Sequence, residues 1–123
     1  MRLFIILAGL FGFLAVALGA FGAHGLRDIV EPSYLTVWHT GVQYQMYHSL
    51  ALLSVALLAV NYINPTLAKW AAGAFVIGIL LFSGSLYAIV LLGIRDLGFI
   101  TPIGGLFFLA GWVLVVLAAL KKQ

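Results

Sequence analysis

The hydrophobic residues of this chain form four long uncharged runs, separated by short groups of charged and helix-breaking residues. The runs cover residues 3–23, 40–68, 70–94 and 97–120. Each run provides the ~20 residues that a helix rising ~1.5 Å per residue needs to cross a ~30 Å hydrocarbon layer. The pattern therefore predicts four transmembrane helices, at about residues 3–24, 33–62, 67–94 and 97–120.

The segments between the runs contain residues that typically end helices. They include Gly25 and Arg27-Asp28 at the end of the first helix, Asn64-Pro65 near the end of the second run, and Gly93 and Arg95-Asp96 at the end of the third helix. Gly and Pro terminate helices, and charged side chains avoid hydrocarbon, so these segments are predicted to be loops. The predicted fold class is all-α: an integral membrane four-helix bundle, antiparallel and up-down-up-down, formed by residues 1–123 as a single domain.

Composition agrees with a membrane protein and excludes several kinds of site. Hydrophobic residues make up 65% of the chain and charged residues only 7%, whereas a soluble domain has roughly 25% charged residues. The chain has no cysteine, which excludes disulfides, thiolate metal sites and cysteine nucleophiles. The six basic residues are scattered over helix ends, so they form no patch for a nucleic acid.

One alternative concerns the first run. Arg2, the apolar stretch and the sequence Ala20-Phe21-Gly22 have the outline of a secretory signal with a cleavage site. The run of residues 3–23 is, however, longer than the ~7–15 apolar residues of a typical signal, which favours a membrane helix.

The charged residues also predict an orientation. With four helices, one side of the membrane holds Arg2, Lys69, Lys121 and Lys122, and the other holds Arg27, Arg95 and the three acids Asp28, Glu31 and Asp96. Lys and Arg are retained on the cytoplasmic side, so both termini are predicted to be cytoplasmic. The two outer loops share a Gly-aliphatic-Arg-Asp tetrapeptide, which fits a chance match at least as well as a duplication.

Polar residues are concentrated in the second run, where residues 38–49 read WHTGVQYQMYHS. At ~100° per residue, one half of the helix holds His39, Thr40, Gln43, Tyr44, Tyr47, His48 and Ser54. Gln45 and Ser49 do not fit that half. A polar group in hydrocarbon is costly unless it is hydrogen-bonded within the protein, so this half is predicted to face into the bundle. Residues 38–43 are expected at the outer interface, with Trp38 in the aromatic belt, and Tyr44, Tyr47 and His48 are expected to descend into the bundle.

Several sequence strings resemble a known family. They are GAFGAHGL at residues 19–26, WHTGVQYQMYHSLAL at 38–52, GSLY at 84–87, TPIGG at 101–105 and AGW at 110–112. These strings resemble the YgdD- and YwdK-like family of small inner-membrane proteins, a domain of unknown function, and the resemblance covers essentially the whole chain. It implies four membrane helices in the bacterial inner membrane and no established reaction, and His39 stands where variation within the family is expected.

The candidate binding residues lie near the outer ends of the helices. They are His24, Arg27, Asp28, Trp38, His39, Gln43, Tyr44, Gln45, Tyr47, His48, Ser83, Ser85, Tyr87, Arg95 and Asp96. The favoured hypothesis is a structural or accessory role without enzymatic activity. In it the polar face holds the helices together or docks on a homo-oligomer or a larger membrane complex within the lipid bilayer. The alternative is an outward-facing protein that binds or transports a small molecule, an ion or a proton.

Two further hypotheses have less support. Histidines can bind metal or haem between helices, but the sequence has no HExxH motif and no carboxylate within the runs, so no metal and no cofactor is predicted. Ser49, Ser83 and Ser85 could be named as hydrolase nucleophiles. None of them lies in a Gly-x-Ser-x-Gly turn, and no catalytic residue is predicted.

Overall fold

The computed structural model of the protein describes residues 1–122, and all regular structure within them is helical. The first helix is Arg2–His24, the second is Pro32–Leu58, the third is Pro65–Leu92 and the fourth is Ile100–Leu120. The third helix contains one π-helical stretch, Ile79–Ser83, and a 3-10 turn, Arg95–Phe99, precedes the fourth. The predicted all-α fold class is confirmed.

The helix ends differ from the predicted ones where local hydrogen bonds decide them. The second helix was predicted to continue to about residue 62, but it ends at Leu58 and the chain turns before Asn64. Asn64 caps the third helix, because its Oδ1 accepts the N–H groups of Thr66 at 3.0 Å and Leu67 at 3.1 Å. The third helix therefore begins at Pro65, two residues before the predicted position.

The third helix ends through a glycine in the left-handed conformation. Gly93 has φ +69°, a region that side chains disfavour, and its N–H donates to the carbonyl of Ile89 at 3.0 Å. The first helix ends differently, because Gly25 keeps the right-handed conformation at φ −80°. The two Gly-aliphatic-Arg-Asp tetrapeptides therefore have different backbone conformations.

Contacts at both ends of the bundle establish the antiparallel arrangement. At one end, the Asn64 N–H donates to Ala118 O at 2.9 Å and its Nδ2 donates to Lys121 O at 3.2 Å. At the other end, Arg95 Nε donates to the hydroxyl of Tyr34 at 3.3 Å. The loop between the second and third helices thus lies beside the end of the fourth helix, and the start of the second lies beside the loop that precedes the fourth.

The helices pack in pairs around an apolar core. The first helix packs along the second, the second packs against the third, and the third packs along the fourth. Leu52, Phe75 and Phe108 lie in the core, and each is at least 96% buried. Glycines permit the closest approach of the third and fourth helices: a Cβ on Gly104 would lie 2.8 Å from the Cα of Phe82.

Most of the surface is apolar, as expected for a protein in lipid. Three segments are long and apolar enough to cross a membrane: Arg2–His24, Pro65–Leu92 and Arg95–Leu120. The second helix falls below that hydropathy because of residues such as Gln43, Gln45 and His48. Its length of 27 residues, about 40 Å of helix, is nevertheless sufficient for a membrane-spanning bundle.

Candidate functional site in the second helix

The inward face of the second helix differs from the predicted one. Gln45 and Ser49, which did not fit the predicted face, are 3% and 2% exposed, whereas Gln43, Tyr44 and Tyr47 are exposed. The prediction is confirmed for His48, which is 4% exposed, and wrong for Gln43, Tyr44 and Tyr47, because polarity alone does not mark the inward face. The small and apolar residues deeper in the helix, such as Leu52 and Ala56, set the packing face instead.

Gln45 links three helices through its side-chain amide. Its Nε2 donates to the Phe11 carbonyl of the first helix at 2.8 Å, and its Oε1 accepts the hydroxyl of Tyr87 from the third helix at 2.7 Å. Ser49 donates to the carbonyl of Gln45 at 2.6 Å, so its hydroxyl is satisfied within the second helix. An amide that both donates and accepts between helices fixes their relative rotation.

Trp38 is a buried packing residue rather than a member of the lipid-facing aromatic belt. Its side chain is 1% exposed, and its Nε1 donates to the carbonyl of Leu18 in the first helix at 2.8 Å. The ring lies 4.7 Å from the ring of Tyr87, between centroids. A Cβ on Gly22 would lie 2.6 Å from Trp38 Nε1, so the first helix can approach this ring only through a glycine.

The predicted serines also hydrogen-bond within the bundle. Ser83, at the end of the π-helical stretch, donates to the carbonyl of Gly41 at 2.6 Å. Ser85 shares a hydrogen bond of 2.5 Å with the hydroxyl of Thr101 on the fourth helix. These bonds connect the third helix to both of its neighbours and occupy the hydroxyls that a nucleophile would need.

His48 has both ring nitrogens occupied. Its Nδ1 lies 2.7 Å from the carbonyl of Tyr44, and its Nε2 lies 3.1 Å from Nε1 of Trp112 on the fourth helix. A carbonyl only accepts and an indole N–H only donates, so the geometry corresponds to neutral imidazole with the proton on Nδ1. The ring stacks on Phe108 at 3.6 Å between centroids, which further fixes its orientation.

An apolar cleft of about 400 Å³ lies beside His48, between the second, third and fourth helices. Its lining residues are Tyr44, His48, Phe82, Pro102, Gly105, Leu106, Phe108, Leu109 and Trp112. Aromatic and aliphatic side chains form almost all of this surface, which suits an apolar molecule better than an anion.

The charged candidates at the outer end lie apart from this polar core. His24, Arg27, Asp28 and Asp96 are exposed, and His39 is half-buried near Gly22. Arg95 contacts Tyr34 rather than His48 or Gln45. Within residues 1–122, no three of the His, Asp and Glu side chains come close enough together to hold a metal ion.

The exposed face of the second helix carries a polar stripe, which we define as Thr36, Thr40, Gln43, Tyr47, Leu50 and Ser54. The hydroxyls of Thr36, Thr40 and Ser54 donate to carbonyls one turn earlier in the same helix, at 2.8–3.2 Å. The side-chain polar groups of Gln43 and Tyr47 have no hydrogen-bond partner among residues 1–122.

Sequence reasoning missed the partners of the polar residues. The acceptors in Phe11, Leu18 and Gly41 are backbone carbonyls, which no residue type reveals. The N–H of Trp112 reaches His48 only because the second and fourth helices lie side by side. The spacing of the polar stripe can be read from the sequence, but its outward orientation cannot, and Gln43 and Tyr47 were predicted to face into the bundle.

Comparisons with known proteins find relatives that align with 98% of this chain. The family model described as "Protein of unknown function (DUF423)" matches residues 18–105. The UPF0382 membrane protein YwdK of Bacillus subtilis is 51% identical, with 98% of each chain covered. UPF0382 membrane proteins of Staphylococcus epidermidis and Haemophilus influenzae are 47% and 44% identical, over 98% of this chain and 98% and 95% of theirs. No solved structure matches.

Proposed function

This chain belongs to the DUF423 family of membrane proteins, and from that premise we propose that it is a structural or accessory subunit of a membrane assembly. The assembly contains further copies of the chain, a second protein, or both. The observation that carries the proposal is the contrast between the two faces of the second helix. Its inward polar groups are hydrogen-bonded within the bundle, whereas two outward ones have no partner.

The inward polar groups support a structural role. Gln45, His48 and Trp38 each bond to another helix, and no buried side-chain nitrogen or oxygen among residues 1–122 is left without a hydrogen bond. Satisfied polar networks between membrane helices specify one arrangement. Such a network does not offer a free donor, acceptor or base for a reaction.

The outward polar groups support an assembly. Ser83 lies ten residues before Gly93 (93 − 83), or roughly 15 Å along the third helix, and it bonds to Gly41 of the second helix. Gln43 follows Gly41 by two residues in the same helix, so we place its amide at hydrocarbon depth rather than at the outer interface. An amide in hydrocarbon without a hydrogen-bond partner costs several kcal/mol, on the order of 2–7, which a contact with another protein removes.

The proposed location is the bacterial inner membrane, with the chain crossing it four times and both termini in the cytoplasm. The named relatives are membrane proteins of bacteria. Arg2, Lys69, Lys121 and Lys122 lie at the end of the bundle that would face the cytoplasm, in agreement with the retention of basic residues there.

Mass measurement after gentle extraction tests the proposal. The full chain is released from its own membrane in lipid-retaining polymer discs, and intact particles are weighed by native mass spectrometry. We expect one defined stoichiometry, which persists when the discs are diluted with lipid. A monomer without protein partners under the same conditions would contradict the proposal.

A second candidate function is the binding of an apolar small molecule. The cleft beside Tyr44 and His48 favours it, because aromatic side chains line about 400 Å³ that opens toward lipid. Ion or proton transport has weaker support, because Trp112 already occupies the free nitrogen of His48. An apolar ligand that co-purifies and is lost in Gly105→Phe would support binding, and purification of the wild-type chain with lipid alone would contradict it.

A further inference from the structure

We infer that the partner at the polar stripe is a second copy of this chain, in a parallel two-fold dimer in which the two second helices meet along Thr36, Thr40, Gln43, Tyr47, Leu50 and Ser54. The inference rests on the proposed function and names the partner at one surface.

The spacing of the stripe is that of a helix-pairing seam. Its positions 36, 40, 43, 47, 50 and 54 alternate steps of four and three residues, which is the heptad spacing of left-handed coiled coils. All six are exposed or half-buried in the single chain. The stripe lies opposite the buried face formed by Gly41, Gln45 and Leu52, so a second helix reaches it without disturbing the bundle.

The chemistry of the stripe is unusual for a surface that meets only lipid. The exposed face of the first helix carries Leu10, Phe13 and Val16, as lipid contact requires. The stripe instead places the unpaired amide of Gln43 and the unpaired hydroxyl of Tyr47 one helical turn apart. Two adjacent unsatisfied groups on one line indicate a partner that also presents donors and acceptors along a helix.

A second copy meets that requirement because of the symmetry of a membrane. The distribution of basic residues predicts one orientation for all copies. Two copies in the same orientation are related by a two-fold axis along the membrane normal, so equal residues meet at equal depth. Such a contact needs groups that complement themselves. An amide donates and accepts, as does a phenol hydroxyl, so Gln43 can pair with Gln43 of the second copy in the way that a buried Asn does in dimeric coiled coils.

The remaining positions are compatible with close approach of two identical helices. The stripe contains no charged residue, so equal positions do not repel each other. Thr36, Thr40 and Ser54 are small, and their hydroxyls already bond to their own helix, so they add contact area without adding unpaired groups.

Disulfide crosslinking in native membranes tests the interface, because the chain has no cysteine of its own. Gln43→Cys and Leu50→Cys are each oxidised in the full-length protein. A bond forms only when the two Cβ atoms come within about 3.5–4.5 Å. The matched controls are Val16→Cys on the first helix and Val113→Cys on the fourth, which are as exposed as Leu50.

We expect crosslinked dimers at residues 43 and 50 and none at residues 16 and 113. A second measurement uses Gln43→Leu, which makes this exposed position apolar and removes no hydrogen bond within residues 1–122. Its dimer dissociation constant, from energy transfer between labelled copies in lipid vesicles, should rise about three-fold or more. That factor corresponds to one interhelical hydrogen bond of average strength.

The outcomes separate this inference from the proposed function. A monomer in the vesicles would overturn the dimer. A monomer without protein partners in the discs from the native membrane would contradict the proposed function as well. A complex with a different protein, without crosslinks at residues 43 and 50, would overturn the dimer and leave the accessory role standing. Crosslinks at residue 16 or 113 instead would place self-association on another surface and would overturn the inference as well.

Discussion

At the scale of the residue, the pairing of His48 with Trp112 predicts a measurable interhelical bond. Trp112→Phe keeps an aromatic ring and removes the N–H that reaches His48 Nε2 at 3.1 Å. We expect a loss of roughly 0.6–1.7 kcal/mol in the free energy of unfolding, the range of such bonds in membranes. The measurement is denaturant titration in mixed micelles.

Trp70→Phe is the matched control for that experiment. Trp70 is 68% exposed at the other end of the bundle and has no hydrogen bond within residues 1–122. Equal losses of stability in the two variants would show that the change of ring, rather than the bond to His48, is responsible.

The two glutamines at positions 43 and 45 differ in their hydrogen bonds, so their substitutions should have different effects on stability. Gln45→Leu leaves the Phe11 carbonyl and the Tyr87 hydroxyl without their partner, so the free energy of unfolding should fall by about 1–3 kcal/mol. Gln43→Leu removes an amide that has no partner within residues 1–122, so a detergent-dispersed monomer should keep or gain stability. The measurement is the free energy of unfolding of each variant at high dilution in micelles, relative to the wild-type chain. A similar loss in both would mean that Gln43 also bonds inside the bundle.

At the scale of the element, the third and fourth helices approach each other through glycines, and at Gly104 the opposing atoms are backbone. A Cβ on Gly104 would lie 2.8 Å from Phe82 Cα, which is backbone and cannot rotate away, whereas one on Gly105 has its nearest atom at 3.9 Å. Gly104→Ala should therefore cost about 1–3 kcal/mol of overpacking, and Gly105→Ala should be tolerated. The measurement is the melting temperature of each of the two variants in detergent, followed by thermal aggregation. Equal melting temperatures would contradict the close approach of the helices.

The helices themselves could be predicted from the sequence, because runs of apolar residues and their breaks are local features. The helix end at Gly93 was predicted from residue type, whereas the cap at Asn64, which starts the third helix two residues early, was not. The orientation of the second helix could not be predicted by the same rule, since Gln43 and Gln45 are identical in type and face opposite sides. Which side each faces depends on the first and third helices, through contacts far apart along the chain.

At the scale of the whole molecule, the basic residues at one end predict a single orientation in the membrane. Asp28→Cys lies at the end opposite to Arg2 and Lys121, and Asn61→Cys lies at their end. If basic residues remain in the cytoplasm, a membrane-impermeant maleimide should label Asp28→Cys in intact cells and Asn61→Cys only after permeabilisation. Both residues are exposed, so access of the reagent does not differ for structural reasons.

The wild-type chain controls for background, because it has no cysteine to label. Labelling of Asn61→Cys alone in intact cells would show that the orientation is opposite to the predicted one. It would also place the end of the bundle that holds Gln43 near the cytoplasm. Labelling of both variants in intact cells would indicate copies inserted both ways. Two copies of opposite orientation could not meet through a two-fold axis along the membrane normal. This measurement therefore also constrains the partner of the polar stripe.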